Sequence, residues 1–391
     1  MGALDPIGAV TAPDPYPYYA QLVAEQPFYR DEALGMWVAS SAAAVEAVLT
    51  SPSVRVPPPS EPVPNAIVGT AAGDIFARLV RMNDGPYHVA LKPIVSGACD
   101  ALDSATLSAV SDNCAAKLVE DAGSPAGAAS ISAFAFALPA VVIATLIGLP
   151  PETIAPLPQR ARALVRAFAP GAQPDDIADG AASATMLCNA VSDAFRVAQT
   201  PLAAMLAREP DAGASGTITR ADMVANAVGF FSQAYDATAG LIGAMLLALA
   251  SRPELCGRAR ADHALLAAVA AETARHDAPV QNTRRFVAQD GTIFGQDLRE
   301  GEMILVVLAA ANRDPSVNPD PDRFDPMREN RRTYTFGFGP HACPGMQLAA
   351  TIARAGVARL LDAGLDVASL RSPAAYMPSV NARIPVFAAP R

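Results

Sequence analysis

Phe336-Gly337-Phe338-Gly339-Pro340-His341-Ala342-Cys343-Pro344-Gly345 places one cysteine in a turn crowded with glycine and proline, immediately before a run, Met346 to Leu361, whose apolar spacing reads as helix. Glycine lets backbone approach a ligand with no side chain in the way, and proline stiffens the loop. Backbone N–H groups near the start of the following helix can hydrogen-bond the sulfur and favour thiolate over thiol. The arrangement suits a sulfur held rigidly against something large and flat.

The rest of the chain supplies a mostly helical scaffold for that loop. With 391 residues, 51% of them hydrophobic, it can bury a large core. Helical periodicity runs through Ala42–Leu49, Ile75–Arg81, Ala105–Leu118, Leu157–Phe168, Ala178–Ala198, Arg220–Leu249 and Glu254–Arg275. Strands are few and short, with Gly35–Ala39, Arg285–Val287 and Met303–Leu308 the better candidates. Pro- and Gly-rich punctuation at 57–64, 169–174 and 318–326 is too short to part domains. The expectation is one domain over residues 1–391, mainly α with a small β part.

Several classes are excluded or disfavoured. Five scattered cysteines do not read as a disulfide framework, and there is no C-x-x-C or H-E-x-x-H for zinc. Gly337-x-Gly339 precedes a cysteine loop, so it is no dinucleotide fingerprint. A net charge of −9 with no basic stripe argues against nucleic acid. No basic n-region followed by an apolar h-region marks a secretory signal, which predicts a cytoplasmic protein. Residues 133–149 carry no charge and approach the length of a membrane span, but Pro139 interrupts them and no basic flank follows; a buried core helix is expected, with no membrane anchor.

The cysteine loop resembles the haem-binding loop of the cytochrome P450 family, F-G-x-G-x-H-x-C-x-G, at every fixed position. The resemblance runs from Asp14-Pro15-Tyr16-Pro17-Tyr18 to the final strands and implies the P450 fold, with haem b buried between two long helices. Cys343 would be the axial thiolate, a ligand that pushes electron density onto haem iron. Phe336, Gly337 and Gly345 would shape the loop around it. Four more residues match positions that hold the haem propionates: His341; Arg285; and His88 with Lys92, spaced i, i+4 after Asp84-Gly85-Pro86. Lys92 stands where the family has Arg, keeping the charge but losing the planar fork. His263 and His276 are left as surface residues.

Glu272-Thr273-Ala274-Arg275 places an acid and a base on one helix face, a pattern common on solvated helices. Its position upstream of Cys343 resembles the family's E-x-x-R helix, where the pair is a buried brace for the haem loop. The stretch from Ala311-Asn312-Arg313-Asp314-Pro315 to Asp325-Pro326 resembles the family's meander, with Arg323 as the expected partner of Glu272–Arg275 and Phe324 as a buried anchor. Asn318 stands where Phe is frequent, a departure expected to loosen one anchor.

Gly229-Phe230-Phe231-Ser232-Gln233-Ala234-Tyr235-Asp236-Ala237-Thr238-Ala239-Gly240 puts an Asp in the middle of a long apolar helix, where a buried charge is costly. It resembles the family's oxygen-activating helix. Asp236 matches the acid of the proton relay, Ala237 replaces the usual Thr, and Thr238 matches the second hydroxyl. Consecutive helix residues diverge by about 100°, so Thr238 cannot simply stand in for Ala237. Protons must then come from ordered water, a substrate hydroxyl, or Thr238 after local distortion.

The resemblance implies a monooxygenase that draws electrons from a separate ferredoxin and ferredoxin reductase and oxidises a largely apolar small molecule. The expected pocket lining is Ile67, Val68, Phe230, Gln233, Ala234, Val280, Asn282 and Met377, with the proline-rich loop from Pro57 as its cap. Two alternatives stay open: a haem-thiolate enzyme that uses peroxide or couples radicals, and a haem binder or sensor without turnover.

Overall fold

Arg220–Ala250 forms a single helix of 31 residues, about 46 Å long, that runs through the core. A capping box starts it: the Thr219 hydroxyl accepts from the amide of Asp222, and the Asp222 carboxylate accepts from the amide of Thr219 at 2.7 Å. Apolar residues cover nearly its whole circumference, which is what a helix surrounded by other helices requires. A computed structural model of the chain describes residues 4–123, 128–208, 218–370 and 375–387.

Helices Ala128–Ile147 and Met346–Asp362 pack against this central helix. Gly356 marks a close approach: a Cβ there would lie 2.7 Å from Leu138 and 3.3 Å from Phe134, so glycine lets these helices meet. The uncharged stretch is the expected core helix, with Pro139 inside it and Gly148 ending it in a left-handed turn. Residues 130–147 and the central helix are each long and apolar enough to cross a bilayer, and both are mostly buried within the protein.

Beside the helices lies a five-stranded sheet in the order Phe28–Asp31, Met36–Ala39, Met303–Val306, Thr283–Val287, Val54–Arg55. Trp37 pairs in parallel with Ile304, while Thr283 pairs antiparallel with Val306. The architecture is the expected one, mainly helical with a small β part.

Two expected helices are reshaped. Residues 254–275 form two helices, Pro253–Ala261 and Leu265–His276, because the Asp262 side chain caps the amide of Ala264 and turns the chain. Residues 75–81 begin inside Ala71–Arg78, but Leu79 turns extended and Val80–Met82 forms a separate short 3-10 turn. Arg81 lies in that second turn.

Candidate active site

The cysteine loop is closed by backbone bonds. The amide of Cys343 donates to the Phe336 carbonyl at 2.7 Å, and that of Gly337 to the Tyr334 carbonyl at 2.7 Å. Gly337 and Gly339 take left-handed φ of 74° and 68°, and a side chain at Gly339 would crowd the Leu49 carbonyl at 3.2 Å. Burial pushes the Cys343 thiol up; a hydrogen bond from the Gly345 amide and the charges of Lys92 and Arg81 pull against it. The sulfur therefore has the expected amide donor, although burial outweighs it in the protein alone. Cys343 and Arg81 are both reached by solvent yet enclosed by protein on most sides, so they line a deep cleft.

The expected cationic residues gather around that loop. Lys92, on helix Gly85–Asp100, donates from Nζ to the carbonyl of Ala342, next to Cys343. The His88 and His341 rings pack together, tilted by 30°, with centroids 4.2 Å apart. His341 Nε2 lies 2.9 Å from the Asp84 carboxylate. Burial, then the charges of His341 and Lys92, drives His88 down to about 4, and its Nε2 has no partner. Arg285 is buried and donates to the carbonyl of Arg284; burial lowers it to about 10, and the Asp84 carboxylate opposes this. Asp84 is the acid that sequence reading used only as a lead-in to the helix.

The central helix presents Phe230, Gln233, Ala234 and Ala237 on one partly accessible stripe, with Asp236 beside it. Burial raises Asp236 to about 6, and its carboxylate makes no hydrogen bond to any described residue. Thr238 departs from expectation: it is fully buried, and its hydroxyl has no partner. Ile67 also departs, packing without accessible surface in a satellite cluster with Phe76 and Ala167, while Val68 is exposed. Asn282 is fully buried, donating to the Val380 carbonyl at 2.9 Å. Val280 and Met377 keep partial access.

Glu272 and Arg275 have no accessible side-chain surface and pair through two bonds, 2.6 and 3.0 Å. Arg275 also donates to the carbonyls of Asn312, Pro321 and Arg323. Arg323 thus serves through its backbone oxygen; its guanidinium faces Asp325 near the surface. The further side-chain partners of Glu272 are Arg328 and Arg331, which sequence reading missed. Burial raises Glu272, but the bond from Arg275, the Asp325 amide and Arg331 outweigh it and hold the acid at about 2.

Asn318 is the opposite of a loosened anchor. Buried, it donates to the carbonyls of Asn312 and Arg332 and accepts the Arg332 amide at 3.1 Å. His276 is likewise no surface residue: it is packed beside Arg313 and Asp322, and burial lowers it to about 4.

A family profile described as Cytochrome P450 matches residues 197–363. The chain is 30% identical over 385 residues to the cytochrome P450 monooxygenase PikC of Streptomyces venezuelae, spanning 95% of its own length and 88% of the relative. It belongs to the cytochrome P450 family. This P450 is also 26% identical over 360 residues to the biotin biosynthesis cytochrome P450 of Bacillus subtilis, covering 89% of each chain. It superposes on the crystal structure of CalO2 with a TM-score of 0.80 at 25% identity, over 100% of this chain and 98% of that one. As a P450 it takes haem b and is an oxygen-incorporating oxidoreductase.

The cleft residues fit that cofactor. A flat macrocycle with two carboxylates asks for a sulfur ligand, a glycine-walled approach and cationic or N–H partners at one edge. Cys343 offers the sulfur, and the 337–345 loop keeps glycine beside it. Lys92 and Arg285 supply buried positive charge, and the orphaned Nε2 of His88 remains free to bond.

Proposed function

We propose that this P450 is a single-domain monooxygenase in which Cys343 is the axial thiolate, and that it hydroxylates or epoxidises a largely apolar small molecule. The observation that carries the reading is the presentation of the Cys343 sulfur, with an amide donor, into a deep cleft shared with Lys92 and Arg81. When bound, haem b supplies the redox chemistry that activates oxygen. Lys92, Arg285, His88 and His341 would hold its propionates. Phe230, Gln233, Ala234 and Ala237 would pack the substrate and exclude water, the two alanines leaving room above the cofactor. Asp236, near half-protonation around pH 6, would exchange a proton with water in the cleft. The protein would work without a membrane anchor in the cytoplasm, receiving electrons from a ferredoxin and its reductase.

Ferric protein titrated with terpenes, steroids, fatty acids and aromatics tests the reading. A low-to-high-spin shift with one apolar class, followed by NADPH-driven oxygenation of it with a ferredoxin pair, supports the monooxygenase. Partial accessibility at Ala237, with the Thr238 hydroxyl fully buried, favours a second reading, peroxide-driven oxidation. Activity on added peroxide with none from the ferredoxin pair would select that reading instead.

A further inference from the structure

Arg81 belongs to none of the family matches, and its surroundings do not explain it. It makes no hydrogen bond or ion pair with any described residue. Burial lowers its pKa, and the charge that opposes this is that of Cys343. An enclosed guanidinium without an acid is costly, whereas its donors form a planar fork matched to a carboxylate.

The segment that carries it is held in place at unusual polar expense. Asn226 of the central helix accepts the Val80 amide at 2.9 Å and donates to the Arg78 carbonyl at 2.8 Å. Asp222, one turn earlier, receives the Arg78 guanidinium at 2.8 Å and the Tyr87 hydroxyl at 2.9 Å. Leu79 fills the space over Gly229, where a Cβ would be 2.5 Å from its methyl and 2.8 Å from the Gln233 amide. The clamp therefore fixes the backbone immediately before Arg81 against the central helix, where Leu79 packs over Gly229 and Gln233.

We propose that Arg81 is the counter-ion for a carboxylate bound in the cleft. That carboxylate belongs either to the end of an otherwise apolar substrate, which extends the functional reading above, or to the edge of the cofactor. Asn226 and Asp222 act as positioning residues.

Two measurements on the ferric holoprotein separate the sources: spin-state titration with dodecanoic acid and with dodecanol, and haem transfer to excess apomyoglobin. Each is run on wild type, Arg81→Gln and Arg81→Lys. A substrate carboxylate predicts that Arg81→Gln weakens the acid about tenfold or more, as loss of a charge-assisted bond requires, while the alcohol and haem transfer hold steady. A cofactor carboxylate predicts faster haem transfer in Arg81→Gln, with acid and alcohol affected alike. In both cases Arg81→Lys retains a good part of the effect. Unchanged acid preference together with unchanged haem transfer in Arg81→Gln overturns the proposal. If wild type responds to neither C12 chain, the apolar-ligand reading is what loses support, and haem transfer alone decides Arg81.

Discussion

Ala237 lies on the accessible stripe of the central helix, and Thr238, the next residue, is buried with its hydroxyl unpartnered. With no accessible hydroxyl at either position, water or the substrate is the expected proton source there, together with the Asp236 carboxyl. Wild type should release much hydrogen peroxide per NADPH oxidised with poorly fitting ligands and little with a well-fitting one. Ala237→Thr places a hydroxyl on the stripe and should lower the peroxide fraction with poor ligands. Thr238→Val, by contrast, removes an unsatisfied buried group at constant shape and should leave coupling unchanged without lowering Tm. Tight coupling of wild type across many unrelated substrates would contradict this account.

Asp236 should set a pH limb. Burial raises it from 3.8 to about 6, so the folded protein holds this proton more tightly than the unfolded chain does. Its contribution to stability is complete below pH 3.8 and is lost as pH rises through about 6. If the protonated acid feeds the relay, turnover should decline above that pH. Asp236→Asn should remove both the stability slope and the rate limb, and lower turnover about a hundredfold. A pH–rate profile of the variant with the same limb would exclude Asp236 from proton transfer.

What could be read from sequence was what sits close together along the chain. The Cys343 loop and the Glu272–Arg275 pair are local patterns, and the roughly 100° step between Ala237 and Thr238 follows from helix geometry alone. Arg81 was hidden because it lies in a 3-10 turn pinned at Val80 by Asn226, 146 positions from Val80. Arg328 and Arg331 lie in a meander with no period, where a row of arginines does not reveal which one reaches Glu272. The break at Asp262 was missed because apolar spacing continues across it, while a single side-chain cap turns the backbone. Asn318 was misjudged for a related reason: the loss of an apolar anchor is visible in sequence, but the carbonyls waiting for its amide are not.

Asn318→Phe should therefore destabilise this chain, although Phe resembles the family pattern. The ring would overfill a site shaped for an amide, leave the Arg332 carbonyl without its Asn318 donor, and leave the Asn312 carbonyl with Arg275 alone. Roughly 1–3 kcal/mol is expected from overpacking. Urea unfolding of the holoprotein measures it, and an equal or higher midpoint in the variant would show that the three bonds contribute little.

Glu272→Gln should be the more severe change. One carboxylate meets the guanidinium groups of Arg275, Arg328 and Arg331, and the neutral amide would leave those positive charges crowded together, Arg275 with no accessible surface. Breaking a buried pair on one side costs roughly 3–5 kcal/mol. The acid is depressed from 4.5 to about 2, so its contribution is fully present above pH 4.5 and is lost as pH falls through about 2. Wild type should lose stability over that interval, and the Gln variant, already destabilised at neutral pH, should show a shallower fall. The damage should also reach the haem loop: Ala274, between the paired residues, accepts at its carbonyl from Thr335, which adjoins Phe336. Haem transfer to apomyoglobin should therefore accelerate in the variant even under conditions where it remains folded. A destabilised variant that holds haem as tightly as wild type would separate the ion pair's role in folding from any bracing of the cysteine loop.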